Sequence, residues 1–371
     1  MRRTALLLCL LAPLGAAAQA PSDTERCADQ MEAPDLRIGA CTRLIESGTL
    51  SGKDLAVPLF YRAVAHATNR DNNLAIADYT RTLEAFPEAP TAANARGDLH
   101  FRAGRYQQAA EDFALSARLD PEWAVPLDNL GLAQMQLGQL DQAIDSYTRA
   151  LKISPTWPNP MMHRGEAQLR RKAYGEAIQD LSQAIERDPS SAFARRGRGD
   201  AYVATGKYAE AVKDFDRAVQ VEPQDAYGLV GRAVALYLDG SARKARQDVE
   251  AAVKLAPDDP WLVNRLCYQL ATHDQAKEAL PYCERAVKLK PDSADSRDSR
   301  GFAYLKLNRF KQAADDYTEA LARNARHAYA LYGRCLALKG LRRSEADADC
   351  EDARAMDPGV DAFFAAQGLR K

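Results

Sequence analysis

The sequence predicts an all-α fold, a solenoid of stacked helix-turn-helix repeats, on three observations. Prolines recur at Pro87, Pro121, Pro155, Pro189, Pro223, Pro257 and Pro291 with a constant interval of 34; Ala325 takes the next place and Pro358 follows after 33. A small residue keeps the same beat at Ala75, Ala109, Ala143, Ala177, Ala211, Ala245, Ala279 and Ala313, followed four positions later by a large one at Tyr79, Phe113, Tyr147, Leu181, Phe215, Val249 and Tyr317. Alanine and arginine are abundant, which favours helices. A period in this range is the signature of a repeat array, because one helix pair cannot bury its own apolar stripes and neighbours must stack.

Composition narrows the function classes. Of 371 residues, 46% are hydrophobic and 27% charged, the balance of a folded chain. Fifty Lys and Arg against 51 Asp and Glu give a formal charge of -1, so no net basic field exists to attract nucleic acid. Without Arg2 and Arg3 the balance is 48 to 51, or -3.

From the N-terminus, Arg2 and Arg3 precede an apolar run from Ala5 to Ala12 and then Gly15, Ala16, Ala17 and Ala18. That order reads as a secretory signal peptide over residues 1–18, too short to span a bilayer and leaving no stable membrane insertion once removed. Cys9 departs with it, and six cysteines remain: Cys27, Cys41, Cys267, Cys283, Cys335 and Cys350. Residues 19–55 form a partial repeat and its connection, since "IGACTRLIES" aligns with "IADYTRTLEA" of the next unit.

Residues 56–360 divide into nine units. A second small slot in the first half of the unit holds Gly97, Gly131, Gly165, Gly199, Ala233 and Gly301, and lets two helices approach beside the large residue. A turn residue between the halves, Gly104, Gly138, Gly206, Gly240 or Asn308, accepts the left-handed conformation that ends a helix. Residues 361–371, with Phe363 and Phe364 among alanines, form a final helix that covers the end of the stack.

Segments such as "GLAQMQLGQLDQAIDSYTRALKISP" (131–155) and "GDAYVATGKYAEAVKDFDRAVQVEP" (199–223) resemble the tetratricopeptide repeat family. The resemblance, to an exported bacterial member, covers most of the chain and implies a right-handed superhelix whose first helices line a concave face. It places Asn94, Asp98, Arg102, Asp128, Glu166, Arg170, Arg196 and Asp200 on a polar stretch of that face. Tyr227, Tyr237, Trp261, Asn264, Tyr268 and Phe302 fall on a more aromatic stretch, suited to an extended peptide or partner helix.

In the repeat frame Cys267 and Cys335 take the early small slot, and Cys283 and Cys350 the large slot of the same units. Cys41 takes the large slot of the partial unit. The expected disulfides are therefore Cys27–Cys41, Cys267–Cys283 and Cys335–Cys350, in keeping with export.

No phosphate loop, dinucleotide motif or zinc pattern occurs, and His66 and His100, in equivalent slots, read as packing residues. The sequence expectation is a periplasmic, non-catalytic scaffold without cofactor or metal that binds a protein or peptide in its groove. The alternatives are a structural subunit of a cell-envelope assembly and, third, a small-ligand binder or enzyme. Partner and oligomeric state are left open by the sequence.

Overall fold

A computed structural model describes residues 21–369; the expected leader, residues 1–18, lies outside them. The described residues form α-helices joined by short turns, and the chain divides into two compact units between Pro155 and Thr156. The first unit holds α1 (Asp23–Ala28), α2 (Pro34–Glu46), α3 (Gly52–Thr68), α4 (Asn72–Ala85), α5 (Pro90–Arg102), α6 (Tyr106–Leu119), α7 (Val125–Gln136) and α8 (Leu140–Ile153). The second begins with α9 (Pro158–Arg170), α10 (Tyr174–Arg187), α11 (Ala192–Ala204), α12 (Tyr208–Val221), α13 (Ala226–Leu238) and α14 (Ala242–Leu255). It continues through α15 (Pro260–Thr272), α16 (Ala276–Leu289), α17 (Ala294–Lys306), α18 (Phe310–Arg323), α19 (Ala328–Gly340), α20 (Ala346–Met356) and α21 (Val360–Ala366).

From α3 to α20 these are hairpins, each packed on the next within its unit. The marker prolines stand just beyond the second helix of each pair. The residue before each of them, such as Phe86, Asp120 or Asp188, has left the helical region (φ -143°, -133° and -128°). The proline ring disfavours helical backbone at that preceding residue, so the exit is written into the sequence.

Between the two helices of every pair one residue is left-handed, and these positions keep the same beat as the prolines: Arg70, Gly104, Gly138, Lys172, Gly206, Gly240, Asp274, Asn308 and Arg342. After each, the next N–H donates to the carbonyl five residues back, as from Arg105 to His100 at 2.9 Å and from Arg343 to Leu338 at 2.9 Å. This closure satisfies carbonyls that the ending helix orphans. The sequence showed it only where glycine or asparagine stands there.

The small and large slots meet in the core. A Cβ on Gly131 would lie 2.5 Å from the Tyr147 ring, and Tyr147 is fully buried. Large residues are also gripped from the following pair, since a Cβ on Gly333 would come within 2.2 Å of Tyr317. In two pairs a disulfide replaces this contact: Cys267 to Cys283, with Cα atoms 4.8 Å apart, and Cys335 to Cys350, at 5.4 Å. Cys27 and Cys41 join α1 to α2.

Candidate functional site: an aromatic groove in the second unit

Asp259 caps α15, accepting from Trp261 N–H at 2.9 Å and Leu262 N–H at 3.2 Å, and it also takes the Tyr227 hydroxyl proton at 2.8 Å. The cap sets the helix so that Trp261, Asn264, Arg265 and Tyr268, three or four residues apart, share one face. The same spacing puts Asp295, Asp298, Ser299 and Phe302 on one face of α17. With His327 and Tyr329 at the start of α19 and Phe363 and Phe364 of α21, they enclose a cavity of about 440 Å³.

A second cavity of about 350 Å³ shares Lys172, Arg265, Tyr268 and Phe363 with the first and extends past Asp200, Tyr174 and His273. Together they form one groove along the first helices of the second unit. The C-terminal helix α21 closes one side. It is held there by Asp361, which takes the Tyr332 hydroxyl proton and pairs with Arg354 at 2.7 Å, and by Phe364 at 5.1 Å from the Tyr332 ring.

Polar groups lie in and beside the groove. Arg265 of α15 pairs with Asp200 of α11, and this carboxylate, ahead of the opposing effect of burial, raises the guanidinium pKa. Glu166, held by Arg170 at 3.2 Å, is shifted upward by burial against that neighbour's charge. Arg196 pairs with Asp225, the cap of α13. Burial pushes the Tyr268 hydroxyl up to about 12, with the charge of Asp298 adding to the rise. Burial of the Asp298 carboxyl raises it to about 6; His327 opposes the shift and Asp295 adds to it.

The structure thus brings Trp261, Asn264, Tyr268 and Phe302 to one cavity, and Asp200 to the adjoining one. Two aromatic residues differ from expectation as surface groups. Tyr237 is 6% exposed and packs against Tyr282, and Phe302 is 3% exposed, its ring 5.8 Å from Phe364, so it forms wall rather than contact surface. Of the polar stretch, Asn94, Asp98, Arg102 and Asp128 belong to the first unit. Asn94 accepts from Asn129 at 3.1 Å, Asp98 pairs with Arg102 at 2.9 Å along α5, and Asp128 is buried. His66 and His100 lie 3.9 Å from Asp78 and Asp112 respectively, and no cluster fit for a metal occurs among the described residues.

Arg265, Asp298, His327, Tyr329 and Phe363 were missed by sequence reasoning, and the beat could have found two of them. Asp298 stands one full period after Asn264, and Tyr329 two periods after Trp261. Also missed was an ion pair repeated through the stack. The arginine just before the small slot takes an aspartate at a fixed distance along the chain, on the second helix of the same pair. The pairs are Arg62–Asp78, Arg96–Asp112, Arg164–Asp180, Arg198–Asp214, Arg232–Asp248 and Arg300–Asp316. Arg334–Asp349 is one residue shorter, matching the residue lost from the last unit.

These features define a helical-repeat protein with a lined inner groove. The chain belongs to the tetratricopeptide repeat family, whose sequence pattern matches residues 61–122, 129–156, 196–260 and 300–361. Among solved structures it is similar to a tetratricopeptide repeat protein from Parabacteroides merdae. The two are 17% identical, with 76% of this chain and 98% of that one covered, at a TM-score of 0.52. Yeast Tom70 is also similar, at 13% identity, 90% coverage of both chains and a TM-score of 0.53. At such identities the likeness concerns the fold. Comparison with curated proteins returns no match.

Proposed function

We propose that the chain is an exported, non-catalytic scaffold that holds a protein or peptide segment in the groove of its second unit. The observation that carries this reading is the pair of adjoining cavities, which share Lys172, Arg265, Tyr268 and Phe363 and so form one elongated trough. Trp261 and Tyr268 remain 55% and 39% exposed beside buried polar groups, the combination of aromatic area and oriented polarity that recognition of a chain segment uses. Three cysteine pairs at bonding distance support an oxidising compartment. No described helix is long and apolar enough to cross a membrane.

The test is capture by the full chain from an envelope fraction under non-reducing conditions, then rebinding of the purified partner. Replacing Trp261 and Tyr268 together by alanine is expected to weaken rebinding at least tenfold with helical content unchanged. Undiminished rebinding overturns the groove as the recognition surface.

A further inference from the structure

The larger cavity is unevenly charged. Among the charged residues that line it, Arg265 is already engaged by Asp200. His327 Nδ1 accepts the Ala330 N–H at 3.0 Å as the cap of α19. Lys172 stands exposed at the rim, on the turn between α9 and α10. Asp298 has its Oδ1 shut off from solvent with no hydrogen-bond partner, and so has Asn264 Oδ1. The ionisable groups that act on Asp298 are His327 and Asp295, in opposite senses, and no lysine or arginine is among them.

The walls have the complementary character. Trp261, Tyr268, Tyr329 and Phe363 line the cavity. An ammonium already lies over one of these rings, Lys290 Nζ at 4.9 Å from the Trp261 centroid, though Lys290 does not line the cavity. Aromatic residues around a carboxylate that no lysine or arginine meets suit an organic cation.

We propose that this cavity is a receptor for an alkylammonium group, the side chain of a lysine on the bound segment, with the rings of Trp261, Tyr268 and Tyr329 around its methylene stem and Asp298 facing its charge. This rests on the groove as the recognition surface and adds the chemistry of one subsite. A closed-in Oδ1 leaves the carboxylate unable to meet a guanidinium fork with both oxygens. That favours the compact ammonium over arginine.

The test uses the full chain, oxidised, at pH 7.5, with Nα-acetyl-lysine amide as probe and the norleucine and arginine amides as comparators. Binding is followed by calorimetry and by the indole NMR signal of Trp261. Saturable binding of the lysine amide is expected, at least tenfold tighter than either comparator and at least tenfold weakened by Asp298→Asn. Equal binding of the norleucine amide, or an unaltered affinity in folded Asp298→Asn, overturns the proposal. Should that variant fail to fold, Tyr268→Leu, at a half-exposed ring, decides: undiminished lysine-amide binding overturns it equally. The two readings separate on the purified partner. Rebinding that survives Asp298→Asn but not the Trp261 and Tyr268 double replacement removes the ammonium site and keeps the groove, whereas rebinding that survives both removes both.

Discussion

Arg198 and Asp214 meet as a fork on a fork, with Nε to Oδ2 and Nη2 to Oδ1 both at 2.7 Å. The remaining arm of Arg198 donates to Ser182 of the preceding pair at 2.9 Å. Arg96 does the same with Asp112 and Thr80, and Arg232 with Asp248 and Asp216. One guanidinium thus closes its own hairpin and ties it to the hairpin before.

Removing Asp214 leaves the half-buried Arg198 guanidinium with one partner, Ser182, in place of two. Asp214→Ala is expected to lower stability by about 3 kcal/mol, while replacing Arg198 and Asp214 together by leucines should recover much of that loss. Urea denaturation followed by circular dichroism reads both. A double variant no better than Asp214→Ala would show that the pair does more than satisfy its own charges.

The left-handed turn makes a second prediction. Arg342 holds φ 58° and Gly206 holds φ 74° at equivalent positions. A side chain in that region costs about 1–2 kcal/mol, partly offset in glycine by its freer unfolded chain. Gly206→Ala should therefore destabilise by about 1 kcal/mol and Arg342→Gly stabilise by about 0.5 kcal/mol, seen as opposite shifts in Tm.

Asp298 gives stability a pH dependence of known sign. Its folded pKa, about 6, lies above the value of about 3.9 expected in an unfolded chain, so its contribution to folding is present below pH 4 and lost as pH rises through 6. Asp298→Asn should gain about 1–3 kcal/mol on the wild-type protein between pH 4 and pH 7. Parallel stability curves over that range would contradict the shift.

The cysteine pairs differ in what backs them. The α15–α16 pair, like α7–α8, lacks the arginine and aspartate that the remaining pairs carry, with Leu266 and Tyr282 in their places, so Cys267–Cys283 is its main polar or covalent tie between those slots. The α19–α20 pair keeps both Cys335–Cys350 and Arg334–Asp349. Replacing either cysteine pair by alanines should cost about 3 kcal/mol from loop closure. The larger fall in urea midpoint is expected for Cys267 and Cys283.

The repeat class was legible because its determinants are local: a proline that stops a helix, a glycine admitted between close helices, a beat that counts residues. Cys267 and Cys283 were legible in the same way, as occupants of slots that face each other. Arg198–Asp214 was overlooked because charged residues are common on helix surfaces, and only packing shows which are buried. Arg265–Asp200 was beyond local reading, since its partners are 65 residues apart on different hairpins. Phe363 was foreseen as part of a cap, but its second role as a cavity wall depends on where α21 docks.

The two C-terminal disulfides lie on the hairpins either side of α17–α18, and the cavity takes its walls from α15, α17 and α19. With its outer hairpins stapled, the trough meets an incoming segment already shaped, and less ordering entropy is lost on association. If the groove holds a segment as proposed, its affinity is expected to fall when the two disulfides are reduced, read as a rise in the partner's Kd under a thiol reductant.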